Sequence, residues 1–334
     1  MKRPIVTVSM AVYNGAAYLN AAIESILNQT FNDLELLIVN DGSTDATKNI
    51  IKSYTDPRIR LINNEFNRGI AYSRNRGWQE AYGDFVAVLD GDDIALPNRI
   101  ELQYAHLIKN PGLAMTGGHA EVINSKSQPT GDYYMMPTKP GEVSIALLFR
   151  NVFVNSTVMF RKENLKEVGG YRDIGICDDY ELAFRLNELY PVDNIDQVLV
   201  QYRLHEHNIS TEKEALMCEG EEHMVRYMHQ ILKIPYDNHL QKTHLSFIRT
   251  IPGYKAELLD YFQLLKAFKT ANNKTGIFPK EEMGRILMLK WYEMIRQSKS
   301  RSSLSLFFKK PLFDSSYATP KMYRKMFKQA LGIV

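Results

Sequence analysis

Three carboxylates fall within four positions at Asp90-Gly91-Asp92-Asp93, directly after the apolar run Phe85-Val86-Ala87-Val88-Leu89. Charges of one sign this close repel, and a cation sitting among them relieves the repulsion. Hard oxygen ligands suit Mg²⁺ or Mn²⁺, and so short a ligand set leaves a substrate's phosphates to complete the coordination. The competing reading is a solvated acidic turn capping a helix that starts at Pro97. A second pair, Asp178-Asp179, opens an amphipathic helix whose apolar side is Leu182, Phe184, Leu186 and Leu189. Acids in a first turn favour the helix macrodipole without any catalytic task, so this pair alone leaves both readings open.

The elements that must position these residues follow from periodicity. Ile5 to Ser9 reads as a strand, followed by a turn at Val12-Tyr13-Asn14-Gly15 and an amphipathic helix over 16–29. Leu34 to Val39 is a second strand, ending at Asn40-Asp41-Gly42-Ser43-Thr44-Asp45, and a capped helix runs on to Tyr54. Arg58 to Asn63 is a third strand, Asn67-Arg68-Gly69 opens a helix through Tyr82, and the next strand runs into Asp90. Strand–helix alternation at this spacing predicts an α/β fold, a mostly parallel sheet flanked by helices. Ligands of such sheets bind beyond the carboxyl ends of the strands, which is where Asp41 and the Asp90 cluster fall.

Bulk properties narrow the class. The chain has 334 residues, 45% hydrophobic and 24% charged, with no run near the roughly 20 apolar residues of a membrane span. Met1-Lys2-Arg3-Pro4 leads straight into a strand, so no signal peptide is expected. Cys177 and Cys218 have no metal or disulfide spacing, which suits a reducing cytosol. From Arg285 onward there are eleven Lys/Arg against two acids, a net of +9, which leaves residues 1–284 at −6 within a total of +3.

Five ordered blocks carry a resemblance: Val8-Ser9-Met10-Ala11-Val12-Tyr13-Asn14-Gly15, Ser25-Ile26-Leu27-Asn28-Gln29-Thr30-Phe31, Val39-Asn40-Asp41-Gly42-Ser43-Thr44-Asp45, Arg68-Gly69-Ile70-Ala71-Tyr72-Ser73-Arg74-Asn75-Arg76-Gly77, and Leu89-Asp90-Gly91-Asp92-Asp93. Together they resemble the family-two glycosyltransferases of the GT-A fold, over about residues 4–210. The resemblance implies that Asp41 contacts a uracil base framed by the backbone around Ala11 and Tyr13, and that Arg74 lies near a diphosphate. A turn aromatic at Tyr13 and an exposed helix arginine at Arg74 remain the plain alternatives. It further implies that Asp90 lies near the ribose and Asp92 near the metal, with Asp93 supporting them or capping the next helix. Asp179 becomes the general base, with Asp178 beside it where the family usually has glutamate. His205 falls where some relatives place a histidine near the metal; imidazole favours Mn²⁺ over Mg²⁺, and a structural loop histidine is the alternative. Asn40 departs from the family's usual pair of aspartates.

Further along, Leu113 to Gly118 reads as a strand with close backbone approach at Gly117-Gly118, and 125–141 as a loop over the acceptor entrance. A short helix over 142–149, a strand from Asn155 to Arg161 that brings polar groups toward the cleft, and a strand from Val192 to Arg203 follow. The expected division is a GT-A catalytic domain over 1–211, with a nucleotide half (1–110) and an acceptor half (111–211), and a helical basic region over 212–334. Helices are expected at 212–233, 254–271, 280–298 and from Pro320. In the last, Met322, Tyr323, Met326, Phe327, Ala330 and Leu331 fall on one face beside Lys321, Arg324, Lys325 and Lys328. Residues 307–331 therefore read either as an anchor for an anionic membrane surface or as a helix packed on the protein or another subunit. No nucleic-acid module is recognisable.

The expected activity is a metal-dependent, inverting, non-processive hexosyl or N-acetylhexosaminyl transfer from a nucleotide-sugar, a UDP-sugar by the resemblance, to a glycan or glycolipid hydroxyl. A role in cell-surface polysaccharide or lipooligosaccharide synthesis is the default, in the cytoplasm or on the inner face of the plasma membrane. Absence of spans and of Q-x-x-R-W disfavours a processive synthase. The rivals are a nucleotidyltransferase and a non-catalytic nucleotide-sugar-binding subunit.

Overall fold

The computed structural model describes residues 3–206, 208 and 214–333. The chain divides into two compact units, Met1–Ser144 with Asn151–Gly220, and Ile145–Arg150 with Glu221–Val334. The sequence-expected division at 211/212 lies outside the described residues, as do His207, Ile209 and Ser210 of the block that closes the expected catalytic domain.

The first unit is organised on a nine-stranded sheet in the order β3-β2-β1-β4-β8-β6-β9-β5, with β7 added to β6. Its strands are β1 (Val6–Val12), β2 (Leu34–Asn40), β3 (Ile59–Asn63), β4 (Phe85–Val88), β5 (Ile94–Ala95), β6 (Met115–Ile123), β7 (Pro129–Tyr134), β8 (Met159–Arg161) and β9 (Val192–Arg203). Strands β3, β2, β1 and β4 are all parallel. The sheet turns mixed beyond β4, where β8 pairs antiparallel with both β4 and β6 while β6 and β9 run parallel. The first half follows from the alternation of strands with α1 (Leu19–Leu27), α2 (Thr47–Ser53) and α3 (Ile70–Glu80), because a crossover helix returns the chain to the same edge. Val6, Val8, Met10, Leu36, Ile38 and Ala87 are wholly buried, as expected of strands covered on both faces.

Four helices complete the series up to residue 189: α4 (Arg99–Lys109), α5 (Pro140–Ala146), α6 (Lys162–Glu167) and α7 (Asp178–Leu189). Helix α7 buries Leu182, Phe184 and Leu186, but Leu189 is exposed and does not belong to the apolar side expected for it. The 155–161 segment is a 3-10 turn, Asn155–Thr157, and only then a strand, so Asn155 and Ser156 sit on a turn at the strand's entrance. The stretch expected as a loop over 125–141 holds β7, whose six residues are all exposed; with both faces wet it lacks the apolar alternation that marks a strand in sequence. Its hairpin closes at Asn124, whose N–H donates to Gln128 O at 2.9 Å.

The second unit is helical: α8 (Glu214–Ile231) from Glu221 on, α9 (Asn238–Ile248), α10 (Leu258–Thr275), α11 (Lys280–Ser298), α12 (Ser303–Phe307) and α13 (Pro320–Ala330). Its interior gathers Phe268 with Phe149, His229 and His244. His229 Nε2 is 3.1 Å from His244 Nδ1, and His244 Nε2 is 2.5 Å from Leu148 O. In α13 Met322 and Met326 are buried whereas Phe327 and Leu331 are exposed, so the single apolar face expected there is divided between core and solvent. Among the described residues no helix is long and apolar enough to cross a membrane.

Candidate active site

Strand β4 ends at Leu89, and the chain then turns across the carboxyl edge of the sheet. Asp90 is held by the turn before β8: Asn155 Nδ2 donates to both its oxygens at 2.9 and 3.0 Å, and Ser156 Oγ donates to Oδ2 at 3.2 Å. Asp92 Oδ2 lies 2.9 Å from His205 Nε2, and the imidazole packs 4.8 Å from the Tyr18 ring. Asp93 is buried, and its Oδ1 accepts from Arg203 N at 2.8 Å. Burial, with the charges of Asp92 and Asp90, holds the Asp93 carboxyl well above the usual range. Asp93 thus fixes the end of β9 and leaves the cleft to Asp90 and Asp92.

Helix α7 brings the second pair to the same edge. Just past α6, Gly170 at φ 70 has no room for a side chain, since a Cβ would lie 2.4 Å from Trp78 Nε1, and its carbonyl accepts from Arg185 Nη2 of α7 at 2.7 Å. Asp178 is fully buried and ion-pairs with Arg74 Nη1 at 2.7 Å, while Arg74 Nη2 is 3.5 Å from Asp90 Oδ1. Burial raises Asp178 to about 6 against the lowering effect of Arg74, with the Asp179 charge adding to the rise. Arg74 itself is held protonated: burial works against its charge, and Asp178 followed by Asp90 outweigh it. Asp179, half-buried, accepts from Asn151 Nδ2 at 3.1 Å and from Tyr180 N at 2.7 Å. Burial pushes its carboxyl up, with Arg74 opposing. The geometry therefore joins Arg74, Asp90, Asp178 and Asp179 in one charged cluster and pairs Asp92, two residues past Asp90, with His205, leaving at Asp179 a carboxylate of raised basicity beside a cationic bridge.

The base-end residues lie at the carboxyl ends of β1 and β2. Ala11 is on β1 and lines a small cavity with Ser9, Arg74 and Asp90, whereas Tyr13 is exposed just past the strand. Asp41 is buried, and its oxygens already accept from Asn64 Nδ2 at 2.6 Å, Arg68 N at 2.9 Å and Gly69 N at 3.0 Å. Three of the roughly four lone-pair positions of a carboxylate are then used inside the chain, so Asp41 first of all holds the loop before α3. Asn40, the departure from the family pattern, donates to Asn63 Oδ1 at 2.9 Å and accepts from Ser43 N at 3.1 Å. Aspartate there would lack the donor that Asn63 receives.

Sequence reasoning missed the supports beneath the acids. Arg99 is fully buried in α4; its Nη2 donates to Val88 O at 2.6 Å and Val158 O at 3.3 Å, and its Nε to Gln103 Oε1 at 3.1 Å. It pins the ends of the strands that carry Asp90 and Ser156. Arg203 donates from Nε to Asp92 O at 2.7 Å and lies 4.6 Å from the Tyr18 ring. Glu181 is wholly buried with Arg185, i,i+4, at 2.5 Å and Arg172 at 2.9 Å, which locks the first turns of α7. In sequence, an arginine on an amphipathic helix looks like a solvated one; the usable signal was Gln103 at i+4, a second polar residue on the buried face.

This arrangement, carboxylates grouped beyond the parallel half of a sheet, lies where ligands bind in α/β folds. The profile of glycosyl transferase family 2 matches residues 7–169, and the chain belongs to that family. It is 33% identical over 220 residues to the O-antigen biosynthesis glycosyltransferase WbnJ of Escherichia coli, covering 64% of this chain and 84% of that protein. By fold it is similar to S. aureus TarS 1-349 in complex with UDP-GlcNAc, with a TM-score of 0.57 and 19% identity over 98% of this chain and 92% of the other. It is also similar to the mannosyltransferase PcManGT of Pyrobaculum calidifontis in complex with GDP-Man and Mn²⁺, with a TM-score of 0.53 and 17% identity over 99% and 87% of the two chains.

The residues present fit a divalent ion of the kind this family implies. Asp92 Oδ2 and His205 Nε2 are of the donor types such an ion takes and lie 2.9 Å apart in a hydrogen bond to each other, and among the described residues no group of three or more His, Cys, Asp and Glu is arranged to enclose a metal alone. An ion held by these two side chains alone would leave most of its coordination positions to water and to oxygen ligands of a substrate, a mode usual for Mg²⁺ and open to Mn²⁺ through the imidazole.

Proposed function

We propose that the chain transfers one sugar, with inversion, from a nucleotide-sugar to a hydroxyl of a glycan or glycolipid acceptor, in the assembly of surface polysaccharide. The observation that carries this reading is the Arg74 bridge between Asp178 and Asp90, which puts a base of raised basicity, Asp179, beside the donor acids. UDP is the first choice of nucleotide, since TarS forms a complex with UDP-GlcNAc, and GDP is the second, since PcManGT forms a complex with GDP-Man.

The chemistry in this reading is a single displacement. Asp179 accepts the proton of the acceptor hydroxyl as its oxygen forms a bond to the anomeric carbon. The bond from that carbon to the diphosphate oxygen breaks on the opposite face, and the configuration inverts. Asp90, fixed by Asn155 and Ser156, holds the ribose end of the donor; Asp92 and His205 would hold the divalent ion, which when bound neutralises charge on the departing diphosphate. Arg74 holds Asp178 and Asp90 in register and presents positive charge near the same phosphates. Ala11 and Tyr13 frame the base, and Asp41 serves it through the loop it holds.

The test is a panel of UDP- and GDP-sugars with Mn²⁺ or Mg²⁺, read by release of the nucleoside diphosphate. Release from one donor class, lost in Asp179→Asn, is expected. Consumption of an NTP with release of pyrophosphate would instead assign a nucleotidyltransferase, and nucleotide binding without release from any sugar donor would favour the non-catalytic reading.

A further inference from the structure

Helix α13 carries no acidic residue, and its solvent side is unlike an ordinary solvated face. Met322, Met326 and Gln329 pack inward. On the other side Phe327 and Leu331 are 56% and 59% exposed, four residues apart, and Ile333 just past the helix is 63% exposed. The strip continues through Tyr323, one turn earlier, to the exposed Phe308, whose ring centroid lies 6.0 Å from that of Tyr323. Lys321, Arg324 and Lys328 are exposed on the same side of the helix, and none of them is ion-paired among the described residues. Arg301 adds a cation at the far end, 3.9 Å from where a Cβ on Gly332 would lie. Scattered exposed apolar residues need no explanation, but a continuous aromatic and aliphatic strip bordered by unpaired cations does.

We propose that this strip is an interfacial docking surface for an anionic phospholipid bilayer. Apolar side chains of this size enter the acyl boundary while lysine and arginine heads remain at the phosphates, which is the arrangement of a helix lying in the membrane plane. Charge complementarity selects the occupant. A second copy meeting the strip with its own strip would bring like-charged cations together, whereas a bilayer of negative surface potential attracts each of them. The net +9 carried from Arg285 onward strengthens that attraction. The surface is independent of the residues assigned to sugar transfer, so its failure and the failure of that assignment are separable.

The test is co-sedimentation of the full chain with vesicles of phosphatidylcholine, with and without phosphatidylglycerol. Binding is expected only with phosphatidylglycerol, and it should weaken as salt is raised. The triple change Lys321→Gln, Arg324→Gln, Lys328→Gln should weaken it on the order of a hundredfold. Phe327→Ser with Leu331→Ser should weaken it at least about tenfold. Thermal unfolding and donor binding, measured in parallel, should match wild type for both variants. No binding, equal binding to neutral vesicles, or binding indifferent to Phe327→Ser with Leu331→Ser would overturn the proposal. So would a dimer in light scattering that the two serines dissolve, since the strip would then belong to a second copy.

Discussion

Arg74 Nη1 stands 2.7 Å from Asp178 Oδ1, so the helix after β3 and the helix that carries the second acid pair are joined by a buried ion pair. Removing one partner of such a pair leaves a charge without compensation and costs about 3–5 kcal/mol. Arg74→Met is expected to lower stability by that order in urea unfolding. Adding Asp178→Asn should restore much of it, because the orphaned charge is then gone. Additive losses in the double variant would show that the two residues do not act as a pair.

Asp179→Asn keeps the size of the side chain and removes the proton acceptor. Turnover should fall by about 10² to 10⁴ while donor affinity changes little. Calorimetric donor binding and nucleoside diphosphate release, measured on the same preparation, separate the two effects. Near-wild-type turnover would remove Asp179 from the mechanism.

The same carboxyl sets the acid limb of the pH profile. Burial raises it above the ordinary value of 3.8, and only its deprotonated form accepts a proton. Log kcat/KM should therefore rise with pH through a midpoint above the free-carboxylate value and then level off. A profile that stays flat down to about pH 4 would contradict the raised base.

The helical unit carries its own pH dependence. Burial lowers His229 to about 4, with Asp237 opposing, and lowers His244 to about 3, with His229 adding and the Leu148 carbonyl opposing. Both folded values lie below the unfolded value of 6.5, so the unfolded chain takes up protons first as the pH falls. The stabilisation is complete above pH 6.5 and is lost as pH falls from there toward the folded values, by about 1.4 kcal/mol per pH unit for each ring. His244→Gln can keep a donor for Leu148 O and should flatten the slope. An unfolding midpoint constant between about pH 7 and 5 would show that the rings are not buried neutral.

Legibility in the sequence followed burial chemistry. Strand β9 matches its sequence-expected limits, Val192 to Arg203, and α11 matches 280–298, because one contains the β-forming run Val198-Leu199-Val200 and the other is a long periodic helix behind a proline. Asp90, Asp92 and Asp178-Asp179 were readable because acids at the end of an apolar strand or in a helix's first turn are conspicuous. Helix α9 is not expected from the sequence: two of its three buried residues, Thr243 and His244, are polar and look solvated until their partners Tyr254, His229 and Leu148 are known. Arg99 and Arg203 were hidden for the same reason, since a wholly buried arginine is recognisable only by the carbonyls it meets. The split face of α13 depended on which turn of the helix meets the core, and periodicity does not determine that.

Calorimetric titration of UDP and GDP into wild type and Asp92→Ala, each with Mn²⁺ and again with EDTA, tests the donor site most directly. One nucleotide is expected to bind in the presence of metal, EDTA to abolish most of the heat, and Asp92→Ala to lose the metal-dependent part. Equal binding with EDTA, or in Asp92→Ala, would contradict a metal-bridged diphosphate at Asp92 and His205.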